Sequence, residues 1–552
     1  MPPKKKSIEE TYQKKTQKEH ILDLPDTYIG SIEPKTEEHW VYNNILKTIE
    51  KKEITWIPGL YKIFDEIIVN ALDHCVRDDT LKTIKATISD SEITIWNDGN
   101  GIDVEMHKEH KVYVPELIFG HLLTSANYDK SEEKIVGGKN GYGAKLTNIF
   151  SKEFIIETVD GTRQKKFIQT FRNNMEEKDK AKVTSCKKKP YTKITFTPDF
   201  SRFGITKLSD DMIGLFQKRI YDACASTPKR VKVLLNDEKL DVKEFQDYVN
   251  LYIGKKAEMP RVYETPHERW EYIAAYNPAG NFEQVSFVNG IWTMLGGSHV
   301  TYILNQIVKK LDTHIKKGKN KDITIKPQFI KDHLWLFVKS TIVNPSFASQ
   351  TKDTLTSKVS SFGSKCDVSD DFIKKLAKTE IVNRVISFVH FKDELDMKKT
   401  DGSKRTRLRN IPKLDDANYA GTAKSKLCTL IVVEGDSART FANSGLSVVG
   451  HDYYGVFPLK GKPLNVREAT ASQQVENAEI SHIKQILGLQ MNKKYSSPID
   501  HFLSRYSWFN NSEKNSKKAI SIDSAYYNAY LNLARLKYMK RDFTGTVNLC
   551  NI

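Results

Sequence analysis

Residues 137–145 read GGKNGYGAK. Glycine lets backbone approach a ligand closely and lysine adds positive charge, so this density points to a held phosphate. Neither common nucleotide signature is met. A P-loop needs G-x-x-x-x-G-K-[ST]. Gly138 and Gly143 have that spacing, but Ala144 stands before Lys145 and no Ser or Thr follows the lysine. A dinucleotide fingerprint needs G-x-G-x-x-G. Gly141 and Gly143 fit, but Leu146 takes the place of the third glycine. The surrounding segments decide the reading.

Upstream, Pro58-Gly59 starts a helix. Leu60, Ile63, Phe64, Ile67, Ile68, Ala71, Leu72 and Cys75 recur at helical spacing and form one apolar face. Glu66, Asn70 and Asp73 share another stripe, within about 60° of one another; for three such residues alone a solvated edge is the better reading. In ISDSEITIWNDGNGI, Ile93 and Ile95 alternate with polar residues as in a half-buried strand, which runs into the turn Asp98-Gly99-Asn100-Gly101. LLTSANYD (122–129) and the glycine stretch follow, then a helix through Lys145, Asn148 and Ile149.

The chain thus carries E-x-x-x-N on a helix, D-G-x-G after a strand, and G-x-x-G-x-G-A-K before a helix, in that order. The joint pattern resembles the ATP site shared by gyrase-type topoisomerases, heat-shock-ninety chaperones, histidine kinases and mismatch-repair ATPases. Within that group YQKKTQKEHILDLPDTYIGS (12–31), FDEIIVNALDH (64–74), VYVPELIFGHLLTSANYD (112–129) and VGGKNGYGAKLTNIFS (136–151) resemble the eukaryotic-type or large-virus type IIA DNA topoisomerases, with the match running over roughly residues 8–495. The resemblance implies a Bergerat-type α/β sandwich ATPase, in which a glycine lid and the helix behind it hold the triphosphate. It makes Glu66 the general base that orients water, Asn70 the Mg²⁺ ligand and Asp98 the adenine acceptor. Ser125 and Asn127 become polar nucleotide contacts. Ala126 falls where relatives often carry a second serine, so one hydroxyl partner is missing. Gly138, Lys139, Asn140, Gly141, Tyr142, Gly143, Ala144 and Lys145 form the lid. Tyr12 belongs to an arm that reaches the partner's nucleotide across a homodimer formed through the ATPase domain.

Further on, VSFVNGIWT (285–293) and LWLFVKSTIVNP (334–345) read as strands around the helical TYILNQIVKKLDTHI. FVNG…GGSHVTYI (287–303) and NPSFASQTKDTLTS (344–357) resemble the family's ribosomal-protein-like α+β transducer. Gln350, Thr351 and Lys352 are its nucleotide-facing motif, with Lys352 reaching the γ-phosphate. HIKKGKNK (314–321) corresponds to a loop facing transported DNA; Lys316, Lys317, Lys319 and Lys321 would meet phosphates without reading sequence. KKTDGSKRTRLRNIPKLDD (398–416) is basic and polar, a domain boundary. LCTLIVVEGDSA (427–438) reads as a buried strand ending in an acidic turn and, with PLKGKPLNVREA (458–469), resembles the opening of an α/β topoisomerase–primase domain. Glu434 would be its Mg²⁺ carboxylate; Asp436 belongs to the motif, and Arg439 stands where relatives usually have lysine. The expected organisation is an arm (1–30), ATPase (31–240), transducer (241–400), basic linker (401–426), partial metal domain (427–495) and an unmatched tail (496–552). In that tail AYYNAYLNLARLKYMKRDF (525–543) has a helical pattern.

Composition agrees with an intracellular, DNA-directed protein. The 552 residues carry a formal net charge of +17, which favours polyanions, nucleic acid first and acidic membrane surfaces second; the resemblance makes that polyanion double-stranded DNA. No run is long enough to span a membrane. The six cysteines are scattered without a C-x-x-C pair and read as reduced thiols. The nucleus, or another DNA compartment such as viral or host cytoplasm, is the expected location. The function expected from the resemblance is ATP-driven passage of one duplex through another, which relaxes or decatenates DNA in the complete enzyme. Relatives complete the metal site with D-x-D-x-D-G and attack DNA with a tyrosine, and no counterpart of either is found here. The alternatives are an ATP-operated DNA clamp without cleavage, an interfering partner of a full-length topoisomerase, and a non-functional truncated product; a full-length topoisomerase or a chain carrying the cleavage domain is a further expected partner.

Overall fold

The computed structural model describes residues 14–124, 133–138, 141–317, 321, 323–399, 402, 408, 411–461, 463–466, 468–490, and 505–506. It divides into two compact units, Met1–Ile315 with Lys326–Val382, and Lys316–Ile325 with Asn383–Ile552.

The first unit opens with a short helix, Gln17–Asp23, closed by a capping box between Thr16 and Glu19. An antiparallel hairpin follows, β1 (Lys35–Asn43) with β2 (Thr48–Trp56). The helix Pro58–Arg77 begins with proline at its first position, where a missing N–H costs nothing. A nine-stranded sheet holds β3 (Thr83–Ile88), β4 (Ile93–Asp98), β5 (Ser151–Asp160), β6 (Lys165–Arg172), β7 (Glu177–Lys178), β8 (Lys182–Ser185), β9 (Tyr191–Pro198), β10 (Lys232–Leu235) and β11 (Glu238–Lys239). Its order is β11-β10-β3-β4-β9-β5-β6-β7, with β8 also paired to β6. Only β10 and β3 run parallel. Alternation along β4 buries Ile93, Ile95 and Asn97, as the period of two requires. The Pro58–Arg77 helix packs against helices Gly143–Ile149 and Asp210–Ser226. Phe64 and Phe216 stack at 4.2 Å where two of them meet.

The second sheet of this unit has the order β12-β13-β16-β14-β15. Its strands are Arg261–His267 (β12), Trp270–Tyr276 (β13), Glu283–Val288 (β14), Ile291–Trp292 (β15) and Leu334–Ser340 (β16). The helix Ser298–Ile315 packs on it through Ile303, Ile307 and Leu311, all buried. The expected ATPase and transducer stretches share one apolar core, in which Ile273, Phe287, Trp335 and Phe337 join Phe64 and Phe216. Trp40 of β1 lies 5.4 Å from Trp335.

Charge crosses the same seam. Arg219, fully buried on the Asp210–Ser226 helix, donates through Nε to Asp65 at 2.6 Å and through Nη2 to the Gly290 carbonyl at 2.9 Å.

In the second unit β17 (Thr429–Glu434) and β18 (Tyr454–Leu459) pair in parallel around the helix Gly435–Val449. Three sequence expectations change here. β17 is half-buried along its length, because among the described residues it pairs with β18 alone and one helix cannot cover the rest. The acidic turn is the start of a helix, with Gly435 directly after Glu434. The stretch read as a linker supplies Ile411, Ala417 and Ala420 to the core of this unit. Packing also reaches past residue 495, since Tyr506 is buried there and donates to Asp416 at 2.6 Å. The helical pattern at 525–543 lies outside the described residues. Among the described residues no helix is long and apolar enough to cross a membrane.

Replacing Arg219 by alanine takes from the buried Asp65 carboxylate its hydrogen-bonded partner at 2.6 Å and leaves it the longer Lys62 pair at 3.6 Å. Denaturant unfolding of the full chain is expected to show the first unit destabilised by about 3–5 kcal/mol; a change under about 1 kcal/mol would mean the pair carries no such burden.

Candidate active site

The site is built around the middle of the Pro58–Arg77 helix. Glu66 and Asp73 of the polar stripe are buried, at 3% and 4% exposure, whereas Asn70 between them is exposed. The stripe is therefore no solvated edge. Lys62, one turn before Glu66 and itself 2% exposed, forms an ion pair with it at 2.7 Å. Lys352 arrives from the far end of the unit and donates to the same oxygen at 3.3 Å. Burial alone would raise the Glu66 pKa. The charges of Lys352 and Lys62 outweigh it and hold the carboxyl below its ordinary value, so it is ionised at neutral pH.

The glycine stretch is fitted to this carboxylate. A Cβ on Gly143 would stand 2.0 Å from Glu66 Oε2, so any larger residue there would displace the carboxylate. Asp73 fixes where the stretch begins, accepting from the amides of Gly137 at 2.7 Å and Gly138 at 2.8 Å. The second sheet holds the residues just before it. Asn289 donates to the Val136 carbonyl at 3.3 Å, and the Asn344 amide donates to Lys134 O at 2.8 Å. Tyr142 receives a bond from Gln17 at 3.1 Å, which ties the amino-terminal helix to the glycine stretch.

Lys145 is buried and donates to the Thr124 carbonyl at 2.6 Å. Burial lowers its pKa to about 8, with no carboxylate contributing. A desolvated cation without an anion is the charge pattern that a phosphate completes, so these residues fit a nucleotide. At the D-G-x-G turn, Asp98 accepts from the amides of Lys82 and Thr83 through Oδ1 alone, at 2.7 and 2.8 Å. Asp78 shapes that turn by accepting from the Asn100 amide at 2.7 Å, and a Cβ on Gly101 would stand 2.0 Å from the Val159 carbonyl. Asp78 itself is lowered to about 2; burial opposes the shift, and bonds from Thr80, Asn100 and His74 overcome it.

In the Gln350-Thr351-Lys352 loop, Thr351 donates to Asp353 at 2.5 Å, and Lys352 takes the left-handed backbone, φ 63°. Tyr12, Ser125, Ala126, Asn127, Lys139 and Asn140 lie outside the described residues, as does Lys319. Of the remaining basic-loop lysines, Lys316 is half-buried and Lys317 and Lys321 are exposed. In the second unit Glu434 is exposed at the end of β17, and Asp436 pairs with Lys413. Arg439 grips Asp415 with Nε at 2.8 Å and Nη2 at 3.0 Å, a fork that lysine cannot make. Among the described residues no three His, Cys, Asp or Glu converge as a metal site, so Glu434 and its neighbours do not by themselves fit one.

Sequence reasoning left Lys62, Asp65 and Arg219 unassigned and gave Asp73 no role. Lys62 had a signal, since a lysine four residues before Glu66 falls on the same helix face. Arg219 had none, because its partners lie 154 and 71 residues away.

Two family profiles match the chain. The family described as histidine kinase-, DNA gyrase B-, and HSP90-like ATPase covers residues 57–202, and DNA gyrase B covers residues 242–404. DNA topoisomerase 2 of Pisum sativum is 51% identical over 500 residues, 89% of this chain and 34% of the relative. DNA topoisomerase 2 of Acanthamoeba polyphaga mimivirus is 51% identical over 499 residues, 89% of this chain and 39% of the relative. The chain thus spans roughly a third of the length of these curated relatives. The crystal structure of the ATPase region of Saccharomyces cerevisiae topoisomerase II is 44% identical, with a TM-score of 0.66 over 70% of this chain and 100% of that one. The ATPase and transducer domains of DNA topoisomerase II from Balamuthia mandrillaris are 45% identical, with a TM-score of 0.67 over 70% of this chain and 100% of that one. With its Bergerat-type ATPase site and transducer sheet, the chain belongs to the type IIA DNA topoisomerase family, whose amino-terminal region it matches.

Proposed function

We propose that the first unit is the ATP-operated gate of a type II DNA topoisomerase, which closes as a homodimer around double-stranded DNA and reopens on hydrolysis. One observation carries the reading: Glu66 and Lys352, 286 residues apart in sequence, meet at 3.3 Å within the protein. Burying ionised groups is costly, and apolar residues would serve packing alone better. A carboxylate base and a positioned cation are what hydrolysis of a phosphoanhydride uses.

In this reading bound ATP supplies the electrophilic γ-phosphorus; Asn70 would hold Mg²⁺, which would supply charge neutralisation at the phosphates. Glu66 orients a water molecule and accepts its proton as the water oxygen attacks; the bond to ADP breaks. Lys352 leaves the carboxylate for the phosphate and stabilises the transition state, while Lys62 stays to keep Glu66 ionised. Asp98 has Oδ2 for the adenine amine, with Oδ1 held on backbone. Gly138 to Lys145, with Gln350, Thr351, Ser125, Asn127 and the partner subunit's arm bearing Tyr12, complete the nucleotide contacts. Lys316, Lys317, Lys319 and Lys321 meet DNA phosphates. The place of action is the nucleus or another DNA compartment. No cleavage step is assigned to Glu434.

ATP hydrolysis by the full chain, with and without duplex DNA, tests this. Glu66→Gln is expected to cut turnover by about 10²-fold or more with nucleotide binding retained, and Lys352→Met by about 10²-fold. Undiminished turnover in Glu66→Gln would overturn the reading. Turnover stimulated by DNA without strand passage would identify the chain as a clamp.

Two pH effects follow from the charges. Lys145 loses its proton as pH rises through about 8, and a phosphate favours its charged form. Affinity for a non-hydrolysable ATP analogue is therefore expected to fall above pH 8, approaching about tenfold per pH unit, and to flatten in Lys145→Ala. Removing Lys62 takes away one of the charges that lower the Glu66 pKa. The acid limb of kcat in Lys62→Met is expected at higher pH than in the parent chain.

A further inference from the structure

The outermost edge of the nine-stranded sheet carries charge that the proposed gate does not use. Residues 180–198 contain six lysines, namely Lys180, Lys182, Lys187, Lys188, Lys189 and Lys193, and no acidic residue. β8 is an edge strand, paired only with β6 among the described residues. Lys180, Lys182, Lys187, Lys188 and Lys189 are all exposed, as is Lys165 on β6 opposite Ser185. The neighbouring carboxylates are already committed. Asp179 holds Arg172 at 2.9 Å, Glu116 holds Lys178 at 2.7 Å, Glu157 holds Lys166 at 2.6 Å, and Asp160 holds Arg163 at 3.1 Å. The six exposed lysines have no ion pair among the described residues, so their charge is uncompensated.

The segment bearing three of them is pinned at both ends. The Cys186 amide donates to the Gln164 carbonyl at 2.8 Å. At the other end Pro190 lies against Gly161, where an added Cβ would come within 2.7 Å of it. Lys187, Lys188 and Lys189 therefore stand on a short arch whose ordering cost is met on folding rather than on binding. Lysine on an edge strand also blocks edge-to-edge pairing of sheets, which would account for Lys182. It does not account for three consecutive lysines beyond the end of the strand.

We propose that this edge, Lys180–Lys189 with Lys165, is a second contact surface for the backbone of double-stranded DNA, separate from the 314–321 loop. The contact is by charge, sequence-independent and salt-sensitive. It deepens the gate reading by placing duplex on the nucleotide-domain sheet as well as on the transducer loop.

The test is equilibrium binding of a short fluorescent duplex to the full chain over a range of salt concentrations, without nucleotide. The triple variant Lys187→Gln, Lys188→Gln, Lys189→Gln is expected to bind at least about tenfold more weakly at low salt. Its slope of log affinity against log salt is expected to be shallower by about 2.7, at roughly 0.9 for each phosphate no longer neutralised. ATP turnover measured without DNA is expected to be unchanged, which controls for folding and separates this proposal from the gate reading. Unchanged affinity and slope in the folded variant would overturn the proposal. So would weakened binding confined to anionic phosphatidylserine vesicles, with duplex binding intact.

Discussion

A carboxylate buried inside a helix must be balanced where it stands, and Glu66 is balanced from two directions. Lys62 comes from the same helix at 2.7 Å and Lys352 from a loop beyond the second sheet at 3.3 Å. Leaving such a charge uncompensated would cost several kcal/mol. The fold therefore has to deliver the Lys352 loop to the Pro58–Arg77 helix. Lys352 accepts a left-handed backbone to get there, an arrangement costing on the order of 1 kcal/mol or more and kept only where surroundings enforce it. The Leu295 amide, which donates to the Asp353 carbonyl at 3.0 Å, is part of that enforcement.

The same demand explains why the two sheets of the first unit share a core. Asp65, next to Glu66, is neutralised by Arg219, and Arg219 also holds the Gly290 turn between β14 and β15. Asn289, in that turn, reaches Val136 at the mouth of the glycine stretch. The helix that carries Glu66, the glycine stretch and the second sheet are thus bound by polar contacts as well as apolar ones. A buried polar network with discrete partners has few intermediate arrangements, which suits the two-state gate proposed for this unit.

The second unit obeys the same rules with less covering. Asp415 is held by the fork of Arg439 and by Asn443 at 2.6 Å, and Asp416 by Arg505 and Tyr506. These contacts draw the Ile411–Ala420 segment into the core, where sequence composition alone suggested a solvated linker. The thiols follow burial too. Cys75 and Cys428 are raised to about 11, and Cys224 and Cys366 to about 12, so they are inert at neutral pH.

Sequence by itself determined what repeats locally or is matched as a motif. The Pro58–Arg77 helix was visible in its apolar period, β4 in its alternation, and the glycine stretch in residues that no packed element would tolerate. The order of the three motifs was enough to indicate the family. Tertiary structure alone decided which charges meet. Neither Arg219 with Asp65 nor Asp73 with the amides of Gly137 and Gly138 has a local signature, because their partners are distant in sequence and chosen by packing. The exposure of Asn70 against the burial of Glu66 and Asp73 is of the same kind: a helix period places residues on a stripe, but only the neighbours that close over that stripe determine which of them lose water.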